Sequence, residues 1–518
     1  MNYNGALEFL DTTKKIGSKP GLTVIGQLLK ELGSPEKDTA FVHVAGTNGK
    51  GSVSTYIATI LAKAGYLTGR FSSPAVFAYE EIIQLLTIRE TNKNNLTSWT
   101  PLHEQNQLET GTKVQATPIE PETGTRVQAI PIEPETGTRV QATPIEPETG
   151  TRVQTTSMQP ETGTKVQVNS IEKDDYVFCM EQIQEACSRM VKAGMAHPTS
   201  FEIETALAFL YFRRKKCDIA VLETGMGGSL DATNIIPTAK CAVLTSISMD
   251  HLEYLGNSLG EIARHKAGII KPGIPVVSYQ QEPEAEEVIK QVSQSKKADL
   301  TIADFSAINI RRMGMEGTEF DYKNKKDLTI KLLGMNQVYN AVTAILAIDA
   351  INGKGYTINI NHIREGLQEA FWPGRFERIK AEPVIILDGA HNADAALALG
   401  KNIRTYLQGK VLYYIMGVFK DKDYQTVLRH TADFSSKIFC ITPPGPRGLP
   451  SKQLQEKALE LGYLAEDAGD IHSALGLISA EAIANKLNSV DYAILAFGSL
   501  SFLNEVREEV NKTFMNAH

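Results

Sequence analysis

A glycine-rich segment near the start of the chain has the residue types that bind phosphate groups. It comprises Gly46, Thr47, Asn48, Gly49, Lys50, Gly51 and Ser52. Glycines let backbone N–H groups curl around phosphate oxygens, Lys50 supplies a compact positive charge, and Ser52 supplies a hydroxyl for Mg²⁺. The general phosphate-loop pattern has two more residues before its Gly-Lys pair, so a plain glycine turn is the alternative interpretation.

The elements on either side of this segment favour the phosphate-binding interpretation. The apolar run 41–45 predicts a buried parallel strand. After the loop, apolar residues at helical spacing from Val53 to Ala64 predict a helix that stops at Gly65. Because a strand, a glycine loop and a helix follow one another here, we expect the segment 46–52 to bind ATP.

Carboxylate and imidazole side chains follow the next two predicted strands. Glu223 ends an apolar run at 219–222, and His251 lies just past a second run at 241–247. Ligands of doubly wound sheets collect outside the carboxyl ends of the strands. Glu223, His251 and Ser52 could therefore hold a divalent metal there, with ordinary polar loop residues as the alternative.

The last third of the chain predicts a second, smaller α/β domain. The segment 371–374, Phe-Trp-Pro-Gly, breaks the pattern, and predicted strands follow at 384–387, 411–416, 438–441 and 492–497. We therefore predict two domains, 1–373 and 374–518. Asp388 ends a strand and is either a helix cap or a site residue, and His391 follows at a helix start.

A tandem repeat interrupts the first domain. Five copies of a 13-residue unit begin at Glu109, Glu122, Glu135, Glu148 and Glu161. Each copy carries a glycine and few large apolar side chains, too few to offset the entropy of ordering it. We predict a mostly disordered insertion over 90–170, and the rival prediction is a solenoid-like stack.

Composition limits the classes of protein that the chain can belong to. Its 518 residues, 42% of them hydrophobic, suggest two or three globular domains. The net charge of −7, with both signs scattered, argues against nucleic-acid binding. The N-terminus has no apolar signal core, and no run reaches the roughly 18 apolar residues of a membrane span. Five cysteines without a C-x-x-C pair fit a reducing compartment, so we expect a soluble cytoplasmic protein.

Eleven segments, read in order, resemble the folylpolyglutamate synthase/dihydrofolate synthase branch of the Mur ligase superfamily. They are HVAGTNGKGSV at 43–53, FSSP at 71–74, FE-x-x-TALAF at 201–209, ETGMGG-x-LDATN at 223–234, TSI-x-MDH at 245–251, HKAGI at 265–269, QVYNA at 337–341, PGRFE at 373–377, LDGAHN at 387–392, G-x-x-x-DKD at 417–423 and FGSLSF at 497–502. The resemblance implies a Mur-ligase-like ATP-binding domain and a Rossmann-like C-terminal domain.

The resemblance also implies a role for individual residues. Lys50, Lys266 and His391 would be catalytic, and Lys266 matches a lysine that becomes carbamylated in the family. Asn340, Arg375 and Asp388 would join the segment 46–52 in binding ATP. Two Mg²⁺ ions would be held by Ser52, Glu223, His251 and Lys266. Ser73 and Pro74 would lie beside the folate.

The implied reaction is ligation of L-glutamate to a folate through an acyl phosphate, with ADP and phosphate released. The substrates would be a reduced folate, dihydropteroate or both, and a monomer is expected. Ala75, Ile82 and Ser229 differ from the residues common in the family. The alternatives are another Mur-type amino-acid ligase and a nucleotide-binding scaffold that uses the 13-residue repeats. The first is disfavoured because only two helices fit ahead of residue 46, where cell-wall ligases carry a whole precursor-binding domain.

Overall fold

A computed structural model describes residues 1–17, 21–75, 78–89, 164–250 and 252–515. Most of the predicted insertion, 90–163, lies outside these residues, as does His251. Both α/β domains belong to one unit that spans 1–90 and 164–518, and they contact each other within it. No helix in the described ranges is long and apolar enough to cross a bilayer.

The first domain is built on an eight-stranded sheet. Its strands are β1 Phe41–Ala45, β2 Thr68–Phe71, β3 Ile83–Arg89, β4 Lys165–Ser170, β5 Ile219–Glu223, β6 Cys241–Leu244, β7 Pro275–Ser278 and β8 Asp299–Ile302. Their order across the sheet is β4-β3-β2-β5-β1-β6-β7-β8. From β2 to β8 in this order the strands are parallel, whereas β3 and β4 form an antiparallel edge.

Helices cover both faces of this sheet, which explains why its central strands β1, β2, β5 and β6 are buried along their whole length. The helices are α1 Tyr3–Thr13, α2 Thr23–Glu31, α3 Lys50–Lys63, α4 Lys173–Lys192, α5 Ser200–Lys215, α6 Leu252–Leu255, α7 Leu259–Ala267, α8 Pro283–Ser295, α9 Met335–Ile351 and α10 Ile360–Glu369. Alternate side chains of β1 enter two different cores: Phe41 packs towards α5, and Val42 packs towards α3 and α9. Burial on two faces selects for continuous apolar strands.

The edge strand β4 corrects the predicted boundary of the insertion. Residues 165–170 were expected to be disordered, but they form a strand paired with β3, with Arg89 opposite Lys165. The strand lies inside the fifth repeat copy, which begins at Glu161, so the sequence composition does not show where pairing begins. Val166 packs against the core beside α3, and this burial favours the strand. The predicted disorder of residues 90–163 lies outside the described part of the chain.

Two other predicted segments differ in extent from the structure. The segment 301–333 is predicted to form the short strands of a meander, and it contains β9 Ile308–Gly314, β10 Gly317–Tyr322 and β11 Lys325–Ile330. Residues 301–302, however, belong to the large sheet as the end of β8. The strand expected over 241–247 ends at Leu244. Beyond it, the Ser246 carbonyl accepts the N–H groups of Thr47 and Asn48 at 2.8 and 3.2 Å. This loop therefore binds the glycine-rich segment instead of extending β6.

The second domain contains a six-stranded sheet and confirms the predicted smaller α/β fold. Its strands are β12 Glu377–Ala381, β13 Val384–Asp388, β14 Val411–Met416, β15 Lys437–Ile441, β16 Ala465–Gly469 and β17 Tyr492–Phe497. Their order is β12-β13-β17-β14-β15-β16, parallel except for β12. The sequence predicted the four buried central strands and missed the half-exposed edges β12 and β16, which lack long apolar runs.

Five helices complete the second domain. They are α11 Ala393–Tyr406, α12 Tyr424–Thr431, α13 Ser451–Glu460, α14 Ile471–Ala484 and α15 Leu503–Met515. The chain crosses between the domains after α10, through residues 370–376. The domains also contact each other at the start of α9, where the Tyr406 hydroxyl accepts the N–H of Gly334 at 3.0 Å. The carboxyl ends of β1 and β13 are thereby held close enough for side chains to bridge them.

Candidate active site

The glycine-rich loop follows β1 directly and depends on two close contacts. A Cβ atom on Gly46 would lie 1.8 Å from Thr245 Oγ1, and one on Gly49 would lie 2.6 Å from Asn340 Oδ1. Gly49 also has a φ of +87°, in the left-handed region that favours glycine. These positions therefore require glycine, and the loop is fixed between the β6 edge and α9 at the N-terminus of α3.

Two lysine ammonium groups meet at the base of this loop. Lys50 Nζ donates to the carbonyls of Gly46 and Thr47 at 3.2 and 3.3 Å. Lys266 Nζ, at the end of α7, donates to the same Gly46 carbonyl at 2.8 Å. Burial and the neighbouring charge of Lys50 lower the pKa of Lys266 to about 7. The amine of Lys266 is therefore partly neutral at physiological pH.

Glu223 provides a buried carboxylate beside the loop. It ends β5 and lies opposite Val44, two residues before the loop begins. Burial raises the pKa of Glu223 to about 7, against the opposing charges of Lys50, Arg375 and Arg70. Its Oε2 atom is buried and has no hydrogen-bond partner. Such an atom destabilises the folded chain unless a ligand satisfies it, so its presence indicates a binding site.

The residues present fit a magnesium site. Ser52 is buried in the first turn of α3, and its hydroxyl and the unpartnered Glu223 oxygen are hard oxygen ligands of the kind Mg²⁺ prefers. Within the described ranges no three His, Cys, Asp or Glu side chains cluster as a metal site. Of the four predicted metal ligands, Ser52, Glu223 and Lys266 have described positions and His251 does not.

Asn340 and Asp388 shape the site from two different directions. Asn340 lies in α9 with its amide against Gly49, and its Nδ2 donates to Gln337 Oε1 at 3.1 Å. Asp388 ends β13, and its two oxygens accept the N–H groups of Phe376 and Ala390, both at 2.8 Å. Asp388 is therefore not a helix cap; Asn392 caps α11.

The hydrogen bonds of Asp388 hold the turn that carries Arg375. Phe376 has a φ of +46°, a left-handed conformation that a bulky residue rarely adopts. The Arg375 guanidinium lies against Gly389, where a Cβ atom would be 2.3 Å from Nη1. Burial raises the pKa of Asp388 to about 6, and the Arg375 charge opposes this shift. The turn directs Arg375 towards the first domain, where its charge acts on Glu223.

His391 is held in one neutral tautomer. Its Nδ1 lies 2.7 Å from the Gly389 carbonyl, which can only accept, so Nδ1 carries the proton. Burial lowers the pKa of His391 to about 4, and the nearby charges of Lys422 and Arg375 act in the same direction. The Nε2 atom is therefore an unprotonated base at neutral pH.

Two polar contacts join the domains across the site. Asn392 Nδ2 donates to Asn48 Oδ1 at 3.4 Å, and Lys422 Nζ lies 3.9 Å from Asp250 Oδ1. Sequence reasoning missed Lys422, although it lies in the DKD segment. It also missed Ser246 and Ser248, which bind the backbone and side chain of Thr47. Ser246 and Ser248 could not be recognised from the sequence because serine is common in loops of any function.

The predicted folate-side residues lie farther along the same sheet edge. Ser73 and Pro74 follow β2, which neighbours β5. Ser73 is half-buried and Pro74 is exposed. Among the described hydrogen bonds none joins Ser73 to the phosphate loop. Phe71, two residues before Ser73, lies opposite Leu222, which precedes Glu223 on β5. The folate-side pair therefore follows the strand next to the one that carries Glu223.

Comparisons with known proteins identify two family domains in this chain. A family model described as Mur ligase middle domain matches residues 173–348, and one described as Mur ligase, glutamate ligase domain matches 374–500. The dihydrofolate synthase/folylpolyglutamate synthase of Bacillus subtilis is 29% identical, over 98% of this chain and 99% of its own length.

Two solved structures share the fold over nearly their whole length. Folylpolyglutamate synthase from Thermotoga maritima is 26% identical with a TM-score of 0.72, over 99% of this chain and 97% of that one. The Mycobacterium tuberculosis folylpolyglutamate synthase, solved with ADP and AMPPCP, is 24% identical with a TM-score of 0.73 and 99% coverage of both chains.

Proposed function

Because the chain belongs to the Mur ligase family, in its folylpolyglutamate synthase/dihydrofolate synthase branch, we propose that it uses ATP to ligate L-glutamate to a folate. A free carboxylate is a poor electrophile, and transfer of the γ-phosphoryl group to it creates a leaving group. The glutamate amine then attacks the acyl phosphate, and phosphate departs. The observation that carries this proposal is the loop 46–52, with the Lys50 ammonium group bonded to its Gly46 carbonyl and the unpartnered Glu223 oxygen beside it.

The loop and the turn after the domain crossing bind the nucleotide. Backbone N–H groups from Gly49 to Ser52 hold the phosphates at the N-terminus of α3, and Lys50 neutralises the outer ones. Asn340 supports the loop, and Asp388 orients Arg375 from the second domain. Residues from both domains thus surround one nucleotide, so closure of the domains would exclude water from a hydrolysable acyl phosphate.

Ser52, Glu223 and His251 would hold Mg²⁺, and Lys266 would contribute to a second site after carbamylation. Bound Mg²⁺ would offset negative charge on the phosphoryl group that is transferred. The lowered pKa of Lys266 supports its modification, because only a neutral amine reacts with carbon dioxide. Its contact with the Gly46 carbonyl places it at the loop.

His391 serves the incoming glutamate. Its Nε2 atom is unprotonated, and Nδ1 is fixed by the Gly389 carbonyl, so Nε2 accepts a proton as the amine attacks. Ser73 and Pro74 would contact the folate. The substrates proposed are a reduced folate and dihydropteroate, and the enzyme is proposed to act as a cytoplasmic monomer.

The test is a direct assay with purified protein, Mg²⁺, ATP, L-glutamate and either tetrahydrofolate or dihydropteroate. We expect ADP release that depends on both the folate and glutamate, together with a product longer by one glutamate in mass spectrometry. Product from tetrahydrofolate alone would restrict the proposal to chain extension. Absence of ADP and of product with both acceptors would overturn it.

A further inference from the structure

Arg70 is a buried cation that none of the roles above uses. It lies on β2 with 3% of its surface exposed. Its Nη1 donates to Thr55 Oγ1 at 2.6 Å, and Thr55 Oγ1 in turn donates to the Gly51 carbonyl at 2.7 Å. A second nitrogen, Nη2, donates to Gln84 of β3. Two consecutive hydrogen bonds therefore connect Arg70 to the phosphate loop.

The same guanidinium packs on Trp372, in the segment that crosses between the domains. Its central carbon lies 4.7 Å from the centroid of the indole ring. The ring also packs against the phosphate loop, since a Cβ atom on Gly51 would lie 2.7 Å from it. Trp372 is 7% exposed, and its indole N–H has no hydrogen-bond partner. Packing and the cation–π contact hold this ring in the absence of a hydrogen bond.

The position of Trp372 bears on the nucleotide site because Arg375 is only three residues further along the chain. Arg375 belongs to the second domain, yet its charge acts on Glu223 in the first. Burying a guanidinium is unfavourable, and an apolar side chain could fill the same volume without that penalty. We therefore attribute the presence of a charged group here to the contacts that only a guanidinium makes, with Thr55, Gln84 and Trp372.

We propose that Arg70 is a positioning residue that clamps Trp372 against Gly51, and thereby holds Arg375 of the second domain at the nucleotide. The clamp joins three parts of the chain: the strand β2, the first turn of α3 and the segment between the domains. It does not contact the reacting atoms. The proposal rests on the proposed function only for its effect on catalysis, since the clamp itself and nucleotide binding can be measured without any ligase activity.

The principal test uses Arg70→Met, which keeps the length of the side chain and removes its charge and hydrogen bonds. A matched control is Lys63→Met, because Lys63 is also a buried cation. It ends α3 and pairs with Glu365 and Glu369 of α10 at 3.2 and 2.7 Å. Both variants are made in a Trp99→Phe background, which leaves Trp372 as the only tryptophan. Circular dichroism confirms that each variant folds.

Two readouts distinguish a clamp from a merely structural residue. We expect Arg70→Met to increase acrylamide quenching of Trp372 fluorescence and to weaken AMPPCP binding, measured by calorimetry, by about tenfold. Lys63→Met should change neither, although it lowers the melting temperature. Arg70→Lys keeps the cation and should give intermediate values. In turnover assays Arg70→Met should raise KM for ATP more than KM for glutamate.

Unchanged quenching and AMPPCP affinity in Arg70→Met would overturn the proposal, as would equal effects from Lys63→Met. If Arg70→Met fails to fold, the AMPPCP affinity of Trp372→Leu tests the proposal instead, because this variant removes the indole ring and leaves Arg70 in place. The clamp requires the same loss of AMPPCP affinity in that variant, and wild-type affinity would exclude it. If the wild-type protein shows no ligase activity, the proposed function is contradicted, but the fluorescence and AMPPCP-binding results still test the clamp.

Discussion

The carboxyl edges of the two sheets each present a carboxylate, Glu223 buried and Asp388 half-buried, and the two are used differently. Glu223 ends β5 in the first domain, and Asp388 ends β13 in the second. Burial raises both pKa values, to about 7 for Glu223 and about 6 for Asp388. Both Asp388 oxygens accept backbone N–H groups, whereas Glu223 Oε2 has no partner.

This difference separates a residue that shapes the site from one that is available to bind. The Asp388 hydrogen bonds hold a strained turn and so place Arg375. Glu223 lowers the stability of the folded chain with a buried oxygen that no protein group satisfies, which is tolerable where a cation completes the site. Asp388 of the second domain thus supports the turn that carries Arg375, and Glu223 of the first domain offers an oxygen that can bind a cation.

The largest effect that would test this comparison is expected from Glu223→Gln. The amide keeps the shape but removes the charge that would face the cation, so we expect kcat to fall about a hundredfold or more. The readout is ADP release in the presence of all substrates. Stability in urea should change little, because Oε2 makes no hydrogen bond in the folded chain. Activity within tenfold of wild type would mean that Glu223 is not a cation ligand.

Asp388→Asn should have the opposite profile, with its main effect on stability. The amide can accept one of the two N–H groups and must present an NH₂ group to the other. We expect a loss of about 1–3 kcal/mol in the free energy of unfolding, measured by urea denaturation. The comparison would be wrong if Asp388→Asn were as stable as wild type while Glu223→Gln was destabilised.

The raised pKa of Glu223 predicts that nucleotide binding depends on pH. Below about pH 7 the carboxyl is protonated and cannot attract a cation, and above it the carboxylate is ionised. We therefore expect the affinity for Mg²⁺ and AMPPCP together to fall on acidification below pH 7, by at most about tenfold per pH unit.

The control for this pH dependence is again Glu223→Gln, measured by calorimetry between pH 6 and 8. Lys266 has a pKa near the same value and also titrates in this range. The variant removes only the Glu223 contribution, so its profile should be flatter than that of wild type. Identical profiles would assign the dependence to Lys266 and not to Glu223.

The smallest effect is expected for the ion pair that links the two edges. Lys422 and Asp250 are 3.9 Å apart and partly exposed, with 20% and 17% of their side chains accessible. Lys422→Met should change the free energy of unfolding by less than about 1 kcal/mol. Arg447→Met, which breaks the exposed pair with Asp421 inside the second domain, is the matched control. A loss as large as that of Asp388→Asn would show that the domains depend on this contact.

Local sequence patterns predicted the phosphate loop, the strands β1, β5 and β6 of the first sheet and the four central strands of the second, because these features follow from neighbouring residues. They did not predict β2 and β7, which are short. The buried strand β1 is apolar except for His43, and the loop positions that approach Thr245 and Asn340 closely have to be glycine. The edge strands β4, β12 and β16 were missed because most of their residues are exposed or half-exposed. Such strands lack an apolar run, and their pairing with a neighbouring strand cannot be predicted from their own residues.

What the sequence determined by itself was the α/β class of both domains, the ATP-binding loop and the list of candidate side chains. What the tertiary structure decided was how those side chains are satisfied. The sequence leaves two interpretations of Asp388, and the structure decides between them because its oxygens accept the N–H groups of Phe376 and Ala390. The sequence gives no sign that Arg70 matters, whereas the structure shows its guanidinium stacked on Trp372. Hydrogen bonds and packing join residues distant in the chain, so only the folded molecule specifies which polar groups are paired and which are left for a ligand.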